Sequence, residues 1–172
     1  MLGVGSAFMV EFFDTSFRSI EDMERKLQLP ILGVISRKLI LLGQNNFASF
    51  EAEPYRVIQT NMELAREGKK GGVIVVQSAG PGEGKSTTLY NLAVAMALTG
   101  QKVLVIDSDL RRPTQHHLFN IPKTPGLLDC LTGACKGSEA VVETQYPNLK
   151  LLPSGQGKHI SLGLLHGKQM AS

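Results

Sequence analysis

Only two cysteines occur in the 172 residues, Cys130 and Cys135. Two cysteines are too few for a disulfide framework, and their spacing matches no metal-binding pattern. We therefore interpret them as small buried or loop thiols. Charged side chains are also sparse, at 19% of the residues, and the net charge is only +3. Because no basic run with interleaved aromatic side chains occurs, nucleic acid is not expected as a partner.

Long apolar runs are absent as well. The first ten residues, "MLGVGSAFMV", are apolar and uncharged, but a membrane-spanning helix needs about 20 such residues. The basic start and the cleavage site of a signal peptide are also missing. We interpret residues 1–13 as the cytoplasmic end of a membrane helix that begins outside this chain. The alternative is a buried or interfacial helix of a soluble domain.

The strongest motif is "SAGPGEGKSTT", residues 78–88. It follows "GGVIVVQ", a short β-branched run that predicts a buried parallel strand. It precedes "TLYNLAVAMALTG", whose apolar residues recur at helical spacing as far as Gly100. A strand, a glycine-rich turn and a helix in this order predict a phosphate-binding P-loop. The alternative is an ordinary glycine-rich turn with an incidental Lys-Ser pair.

Each residue type in this loop suits phosphate. Gly82 and Gly84 allow backbone N–H groups to converge on an anion, and the helix N-terminus adds partial positive charge. Lys85 supplies a full charge for the terminal phosphates of ATP, and the Ser86 hydroxyl is a ligand for Mg²⁺. The predicted nucleotide-binding residues are Gly80, Gly82, Glu83, Gly84, Lys85, Ser86 and Thr87.

A second motif, "KVLVIDSDLRRP", contains an apolar strand that ends in Asp107 and Asp109. Ligands of open parallel sheets bind at the carboxyl ends of the strands, so we expect both acids at the rim that carries the P-loop. There they would act with Lys85 in catalysis, by holding Mg²⁺ or by deprotonating an attacking hydroxyl. We assign the metal to Ser86 and Asp107. The alternative is an aspartate that only caps the next helix, which is more plausible for Asp109 than for Asp107.

The cationic side chains after this motif have several interpretations. Arg111 and Arg112 can face phosphate, a neighbouring subunit or solvent. His116 and His117 follow on a predicted short helix, and we interpret them as structural. None of the four is included in the predicted site.

The rest of the chain alternates helices and strands. Ser19 is a predicted helix cap, "LPILGVIS" is a predicted strand, and residues 36–50 form a predicted polar linker. A further helix is predicted from Pro54 to about Arg66, and "NLKLLP" is a predicted strand that reaches the P-loop rim. These patterns predict an α/β P-loop fold, with helices on both faces of a mostly parallel sheet that is incomplete in this chain.

The two motifs together resemble the bacterial tyrosine kinases of capsule and exopolysaccharide export, the BY-kinases. The segment "VEFFDTSFRSIEDMERKLQLPILGVIS" looks like the juxtamembrane end of their chain-length-determinant (Wzz-like) polysaccharide co-polymerase domain. The resemblance covers nearly the whole chain. It implies ATP and Mg²⁺ as cofactors and a location at the cytoplasmic face of the bacterial inner membrane. It also implies a membrane-helix end at 1–13, a juxtamembrane segment and linker at 14–50, and the N-terminal part of the kinase domain at 51–172.

Two departures from the family pattern qualify this resemblance. The family's helix before the P-loop carries a Glu-x-x-Arg-x-x-Arg pattern that docks on a neighbouring subunit. This chain has Glu53, Arg56 and then Gln59, so self-association through this helix is expected with one arginine missing. The family's Walker B strand and tyrosine-rich tail are not found either. The sequence therefore looks like an interior fragment of a longer protein.

The resemblance implies an ATP-dependent protein-tyrosine (auto)kinase that regulates polysaccharide chain assembly, with the co-polymerase and export machinery as partners. One alternative is a MinD/ParA-like ATPase, although that group has a lysine where this chain has Gly80. The other is a non-catalytic nucleotide-binding membrane scaffold, because the Walker B strand and the tail are missing. The three tyrosines, Tyr55, Tyr90 and Tyr146, form no cluster. We therefore expect this chain to bind ATP with little tyrosine autophosphorylation.

Overall fold

The structure is a computed structural model, and it describes residues 19–36, 40–43, 45–66 and 71–156. The predicted membrane-helix end at residues 1–13 and the C-terminal stretch "ISLGLLHGKQMAS" lie outside the described residues. No helix among the described residues is long and apolar enough to cross a membrane. The chain divides into two compact units, Met1–Val34 and Ile35–Ser172. The division at residues 13 and 50 that the sequence suggests stays a prediction.

The described part of the first unit contains helix α1 (Ile20–Leu27). The Ser19 hydroxyl accepts a hydrogen bond from the Asp22 N–H at 3.1 Å, which confirms the predicted cap. The strand predicted at residues 29–36 is wrong, because the structure has no strand there. The Ile31 N–H donates to Glu24 Oε1 at 2.8 Å instead. A strand exists only where another strand pairs its backbone, and the strands of the described sheet, β1, β2 and β3, pair only with one another.

The second unit contains the sheet and the remaining helices. After a 3₁₀ turn, Phe50–Ala52, its helices are α2 (Glu53–Ala65), α3 (Lys85–Leu98), α4 (Gln115–Leu118), α5 (Leu127–Leu131) and α6 (Gly137–Ala140). Its strands are β1 (Val103–Ile106), β2 (Val142–Glu143) and β3 (Leu149–Leu152). The strand order is β1–β3–β2, with β1 parallel and β2 antiparallel to β3. The described sheet is therefore small and mixed rather than mostly parallel.

Helix α3 forms the centre of the hydrophobic core. It is apolar on almost all sides, as a buried helix must be, and it packs against α2, β1 and β3. Its fully buried residues are Tyr90, Asn91, Leu92, Ala93, Val94, Ala95 and Ala97. The predicted end of the helix is confirmed, because Thr99 caps α3 and Gly100 then turns the chain with a φ of 92°. The predicted bounds of α2 are also confirmed, with Pro54 in its first turn and Arg66 at its end.

The predicted polar linker at residues 36–50 is partly wrong, because its described residues include a packed segment. Leu42 is buried in the core. Its N–H donates to Asn91 Oδ1 at 2.8 Å, and Asn91 Nδ2 donates to Ile40 O at 2.7 Å. The Tyr146 hydroxyl adds a third bond, to Leu42 O at 3.2 Å. The buried amide of Asn91 therefore holds this segment on α3.

The strand predicted immediately before the P-loop is also wrong for the residues that the structure describes. Residues 73–77 form no strand, and Val73 and Val75 are 92% and 71% exposed. Their apolar character suits a buried parallel strand. Burial of such a strand depends on neighbours that bond its backbone, and no described strand lies beside it.

Candidate functional site

The P-loop motif forms a turn that leads directly into α3. The Ser78 hydroxyl donates to Gly80 O at 2.9 Å. Gly82 and Gly84 have φ angles of 82° and 85°, a left-handed conformation that costs other residues free energy. Gly84 is also the N-cap residue of α3. The left-handed backbone conformation is therefore the physical reason for glycine at positions 82 and 84.

The remaining loop residues lie at the start of α3. Lys85, Ser86 and Thr87 are the first three residues of the helix and are half-buried, while Glu83 precedes them and is exposed. The first N–H groups of a helix have no acceptor within it and carry partial positive charge. Because the α3 N-terminus follows a turn that bears a lysine, this end of the helix is suited to bind an anion such as phosphate.

The second motif lies at the end of β1, where this strand runs beside β3. The Asp107 N–H donates to Leu152 O at 3.0 Å, so the carboxyl ends of these two parallel strands are adjacent. Just beyond, Asp109 Oδ2 lies 2.8 Å from Lys85 Nζ, and each side chain is about one third exposed. The structure thus contains the predicted contact between the P-loop and an acid at the end of the strand, and the two residues in contact are Lys85 and Asp109.

This ion pair determines the ionisation of Asp109. Its pKa is lowered, first by the hydrogen bond from Lys85 and second by the Arg112 N–H, which donates to Asp109 Oδ1 at 3.0 Å. Asp109 is therefore a carboxylate at neutral pH and neutralises the lysine that the sequence assigns to phosphate. Arg111 and Arg112 are exposed.

Asp107 has a different environment. It is buried, and its Oδ2 accepts hydrogen bonds from the Thr114 N–H at 3.1 Å and the Gln115 N–H at 3.0 Å. Its Oδ1 accepts a third, longer bond from the Asp109 N–H at 3.3 Å. The helix-capping role that we considered more plausible for Asp109 therefore belongs to Asp107. Three backbone donors hold this carboxylate in one position at the rim.

Gln115 is a site residue that the sequence did not predict. It is 2% exposed, and its Nε2 donates to Ser86 O at 3.1 Å while its own N–H bonds Asp107. It thereby links Asp107 of the second motif to Ser86 of the P-loop motif, which lies 29 residues before Gln115 in the chain. Its position just after "RPT" marks a helix start, but no local pattern indicates which helix its side chain contacts.

The residues at this rim fit a hard divalent cation. The available ligands are the Ser86 hydroxyl and the carboxylates of Asp107 and Asp109, all oxygen donors of the kind that Mg²⁺ prefers. Among the described residues, no group of three or more His, Cys, Asp or Glu side chains could bind a metal on its own. Mg²⁺ normally takes one or two protein ligands and completes its shell with phosphates and water. The donor set therefore suits a cation that arrives with a nucleotide.

Helix α2, for which the resemblance implies a docking role, exposes only part of the expected pattern. Glu53 and Arg56 form an ion pair on α2, and the Arg56 guanidinium lies 5.8 Å from the centre of the Phe47 ring. Gln59, at the place of the second arginine, is buried and donates to Thr99 Oγ1 at 2.8 Å. Position 59 therefore contributes to the α2–α3 contact.

Two other pairs of side chains lie outside this rim. The thiols of Cys130 and Cys135 are free, half-buried and 3.3 Å apart, and burial raises the pKa of Cys130 to about 11. The rings of His116 and His117 are stacked with their centres 3.9 Å apart. Burial, together with His117, lowers the pKa of His116. These environments agree with the structural roles predicted for both pairs.

Comparison with known proteins places the chain among P-loop proteins. Residues 71–164 match the model of the AAA domain family designated AAA_31. The chain is 44% identical over 107 residues to the tyrosine-protein kinase YwqD of Bacillus subtilis (strain 168), an alignment that covers 62% of this chain. The alignment spans 45% of YwqD, so the chain corresponds to less than half of that relative.

Solved structures show the same fold. The chimeric protein CapA2B2 superimposes with a TM-score of 0.75 and 37% identity, covering 89% of this chain and 67% of that one. The tyrosine kinase domain of BceF gives a TM-score of 0.71 and 27% identity, covering 88% of this chain and 68% of that one. The predicted α/β P-loop fold class is thereby confirmed.

Proposed function

Since the chain belongs to the AAA domain family, with bacterial tyrosine-protein kinases as its relatives, we propose that it binds Mg-ATP through residues 78–88. We further propose that the whole protein transfers the γ-phosphate of ATP to tyrosine hydroxyls. The observation that carries this proposal is the contact between Lys85 and Asp109 at 2.8 Å, which joins the two motifs at the N-terminus of α3.

Nucleotide binding requires little rearrangement of this rim. The glycine turn and the helical backbone already fix the first N–H groups of α3, so these groups can donate to phosphate oxygens with little reorganisation. Lys85 exchanges the Asp109 carboxylate for the terminal phosphates, a step that replaces one ion pair by another. Ser86 and Asp107 would hold the cation, which would supply charge neutralisation on the transferring phosphoryl group.

The two acids then have different roles. Asp107 is held by three backbone N–H groups, which suits a fixed anchor for the cation. Asp109 owes its lowered pKa mainly to Lys85, so its basicity increases when Lys85 moves to phosphate. We therefore assign to Asp109 the acceptance of the phenolic proton from the attacking tyrosine.

The wider role follows from the relatives. We propose that the protein acts in capsule or exopolysaccharide assembly at the cytoplasmic face of the bacterial inner membrane, beside a polysaccharide co-polymerase, and associates with itself through Glu53 and Arg56. The names of the relatives support the kinase and capsule part of this proposal: one is a putative tyrosine-protein kinase in the cps region of Klebsiella pneumoniae. They favour a kinase over a MinD/ParA-like ATPase.

Replacement of Lys85 tests nucleotide binding. Lys85→Met removes the charge for the terminal phosphates, so the affinity for a fluorescent ATP analogue in Mg²⁺ should fall at least about tenfold, or about 1.4 kcal/mol. Lys102→Met is the matched control, because Lys102 is exposed and precedes β1 at the end opposite the rim. Equal affinities of Lys85→Met and the unmodified chain would refute the P-loop assignment.

A further inference from the structure

Gln115 lies between the two residues that we assign to the cation. Its N–H donates to Asp107 Oδ2 at 3.0 Å and its Nε2 donates to Ser86 O at 3.1 Å. We propose that Gln115 is a positioning residue that holds Ser86 and Asp107 in register and thereby sets the Mg²⁺ affinity of the nucleotide site. This inference rests on the proposed function and extends it to a residue outside both motifs.

The orientation of the Gln115 amide is determined by its partner. Ser86 O is a carbonyl oxygen and can only accept, so the atom that faces it is the amide nitrogen. The oxygen Oε1 is then left as a buried acceptor, with no partner among the described residues. Buried acceptors without partners are rare in folded proteins, because each one loses its bond to water.

A buried acceptor without a partner, on a side chain that contacts the Ser86 main chain, has a chemical use. Water molecules that remain on Mg²⁺ are strong hydrogen-bond donors, and Mg²⁺ usually keeps several of them. Side chains that orient metal ligands without touching the metal commonly change metal affinity by about 10- to 100-fold when replaced. Gln115 has both features of such a residue, because its side chain bonds the Ser86 main-chain carbonyl and its backbone N–H bonds the Asp107 carboxylate. Its Oε1 has no partner among the described residues.

A purely structural tether is the competing explanation. Helix α4 has a second anchor on α3 that does not involve this amide, because the Phe119 ring packs against Tyr90 with ring centres 4.6 Å apart. Phe119 is itself buried. The attachment of α4 to α3 therefore does not depend on Gln115 alone, and the two roles can be separated by experiment.

The experiment uses the full chain with Gln115→Met, which keeps the approximate volume and removes both polar atoms of the side chain, while the backbone N–H that bonds Asp107 remains. Binding of a fluorescent ATP analogue is titrated with Mg²⁺ and is also measured in EDTA. We expect the Mg²⁺ concentration at half-maximal enhancement to rise about tenfold or more. The affinity in EDTA should stay within about twofold, because the P-loop amides and Lys85 are unchanged.

Gln59→Met is the matched control. Gln59 is also a buried glutamine whose Nε2 joins two helices, in this case α2 and α3 through Thr99. Its replacement should lower the melting temperature without moving the Mg²⁺ midpoint. Gln115→Asn serves as a milder second variant if Gln115→Met does not fold, and its Mg²⁺ midpoint should also rise.

The outcomes separate this inference from the proposed function. An unchanged Mg²⁺ midpoint in a folded Gln115 variant would overturn the inference, as would an equal loss of affinity with Mg²⁺ and in EDTA. In both cases nucleotide binding by the unmodified chain would still support the proposed function. Failure of the unmodified chain to bind the analogue would overturn both.

Discussion

Lys85 and Asp109 neutralise each other at the rim, across 2.8 Å. The pair means that phosphate has to compete with a carboxylate for the ammonium group of Lys85. Partly exposed ion pairs of this kind contribute at most about 1 kcal/mol. The competition is therefore weak enough for a nucleotide to displace Asp109.

Asp109→Asn separates the binding role of Lys85 from catalysis. Without the carboxylate, Lys85 is free for phosphate, so affinity for the ATP analogue should rise by up to about fivefold, or about 1 kcal/mol. Tyrosine phosphorylation by the whole protein should fall about 100-fold or more, because the proton acceptor is lost. Reduced affinity in Asp109→Asn would contradict the proposed exchange of partners.

The same pair predicts a dependence of stability on pH. Because the pKa of Asp109 is lower in the folded chain, mainly through Lys85, its contribution to stability is present above the ordinary aspartate pKa. It is lost as the pH falls through the lowered value. The difference in melting temperature between the unmodified chain and Asp109→Asn should therefore be constant at neutral pH and shrink only in acid.

At the scale of elements, α5 is joined to the end of β3 through backbone contacts. The Leu127 N–H donates to Pro153 O at 2.7 Å and the Leu128 N–H donates to Ser154 O at 3.0 Å. Gly126, which precedes α5, lies so close to this segment that a Cβ there would overlap Gly155 N and Pro153 O. The absence of a side chain at 126 allows α5 to approach the sheet.

Gly126→Ala tests this close approach. The overlap is with backbone atoms, which cannot move aside as a side chain would, so unfolding free energy in urea should fall by at least about 2 kcal/mol. Gly137→Ala is the control, because a Cβ at 137 would meet no atom within 4 Å. It should change stability by no more than about 0.5 kcal/mol. Equal stabilities of the two variants would show that the sheet end relaxes around the added methyl group.

For the molecule as a whole, the location of the tyrosines limits what can be phosphorylated. Tyr55, Tyr90 and Tyr146 are the only tyrosines of the chain, and they are 2%, 3% and 6% exposed. The hydroxyls of Tyr90 and Tyr146 also bond each other at 2.7 Å. None of the three can enter the active site of a second molecule while the core is folded.

We therefore expect no phosphotyrosine in the folded chain after incubation with Mg-ATP, as measured by mass spectrometry. A tyrosine-containing peptide added to the same reaction supplies exposed acceptors, and the Asp109→Asn variant supplies the background. Stoichiometric phosphate on any of the three tyrosines would show that the core opens during turnover. Phosphorylation of the peptide by the unmodified chain but not by Asp109→Asn would exclude the alternative of a non-catalytic nucleotide-binding scaffold.

Local patterns in the sequence were sufficient for the features that depend on near neighbours. The cap at Ser19, the bounds of α2, the end of α3 and the left-handed glycines of the P-loop follow from residues a few positions apart. The rule that parallel strands present their carboxyl ends at one rim was sufficient to predict that the second motif lies close to Lys85. These features are determined by backbone geometry and side-chain spacing, which the sequence contains directly.

Only the tertiary structure decided which distant groups meet. It gave the capping role to Asp107 rather than Asp109, joined Gln115 to Ser86, and packed Leu42 beneath Asn91. It also left residues 73–77 without a paired neighbour among the described strands, although their composition predicts a buried strand. A hydrogen bond between residues 29 or 49 positions apart depends on how helices and strands pack. Strand burial likewise depends on a partner backbone that composition cannot supply.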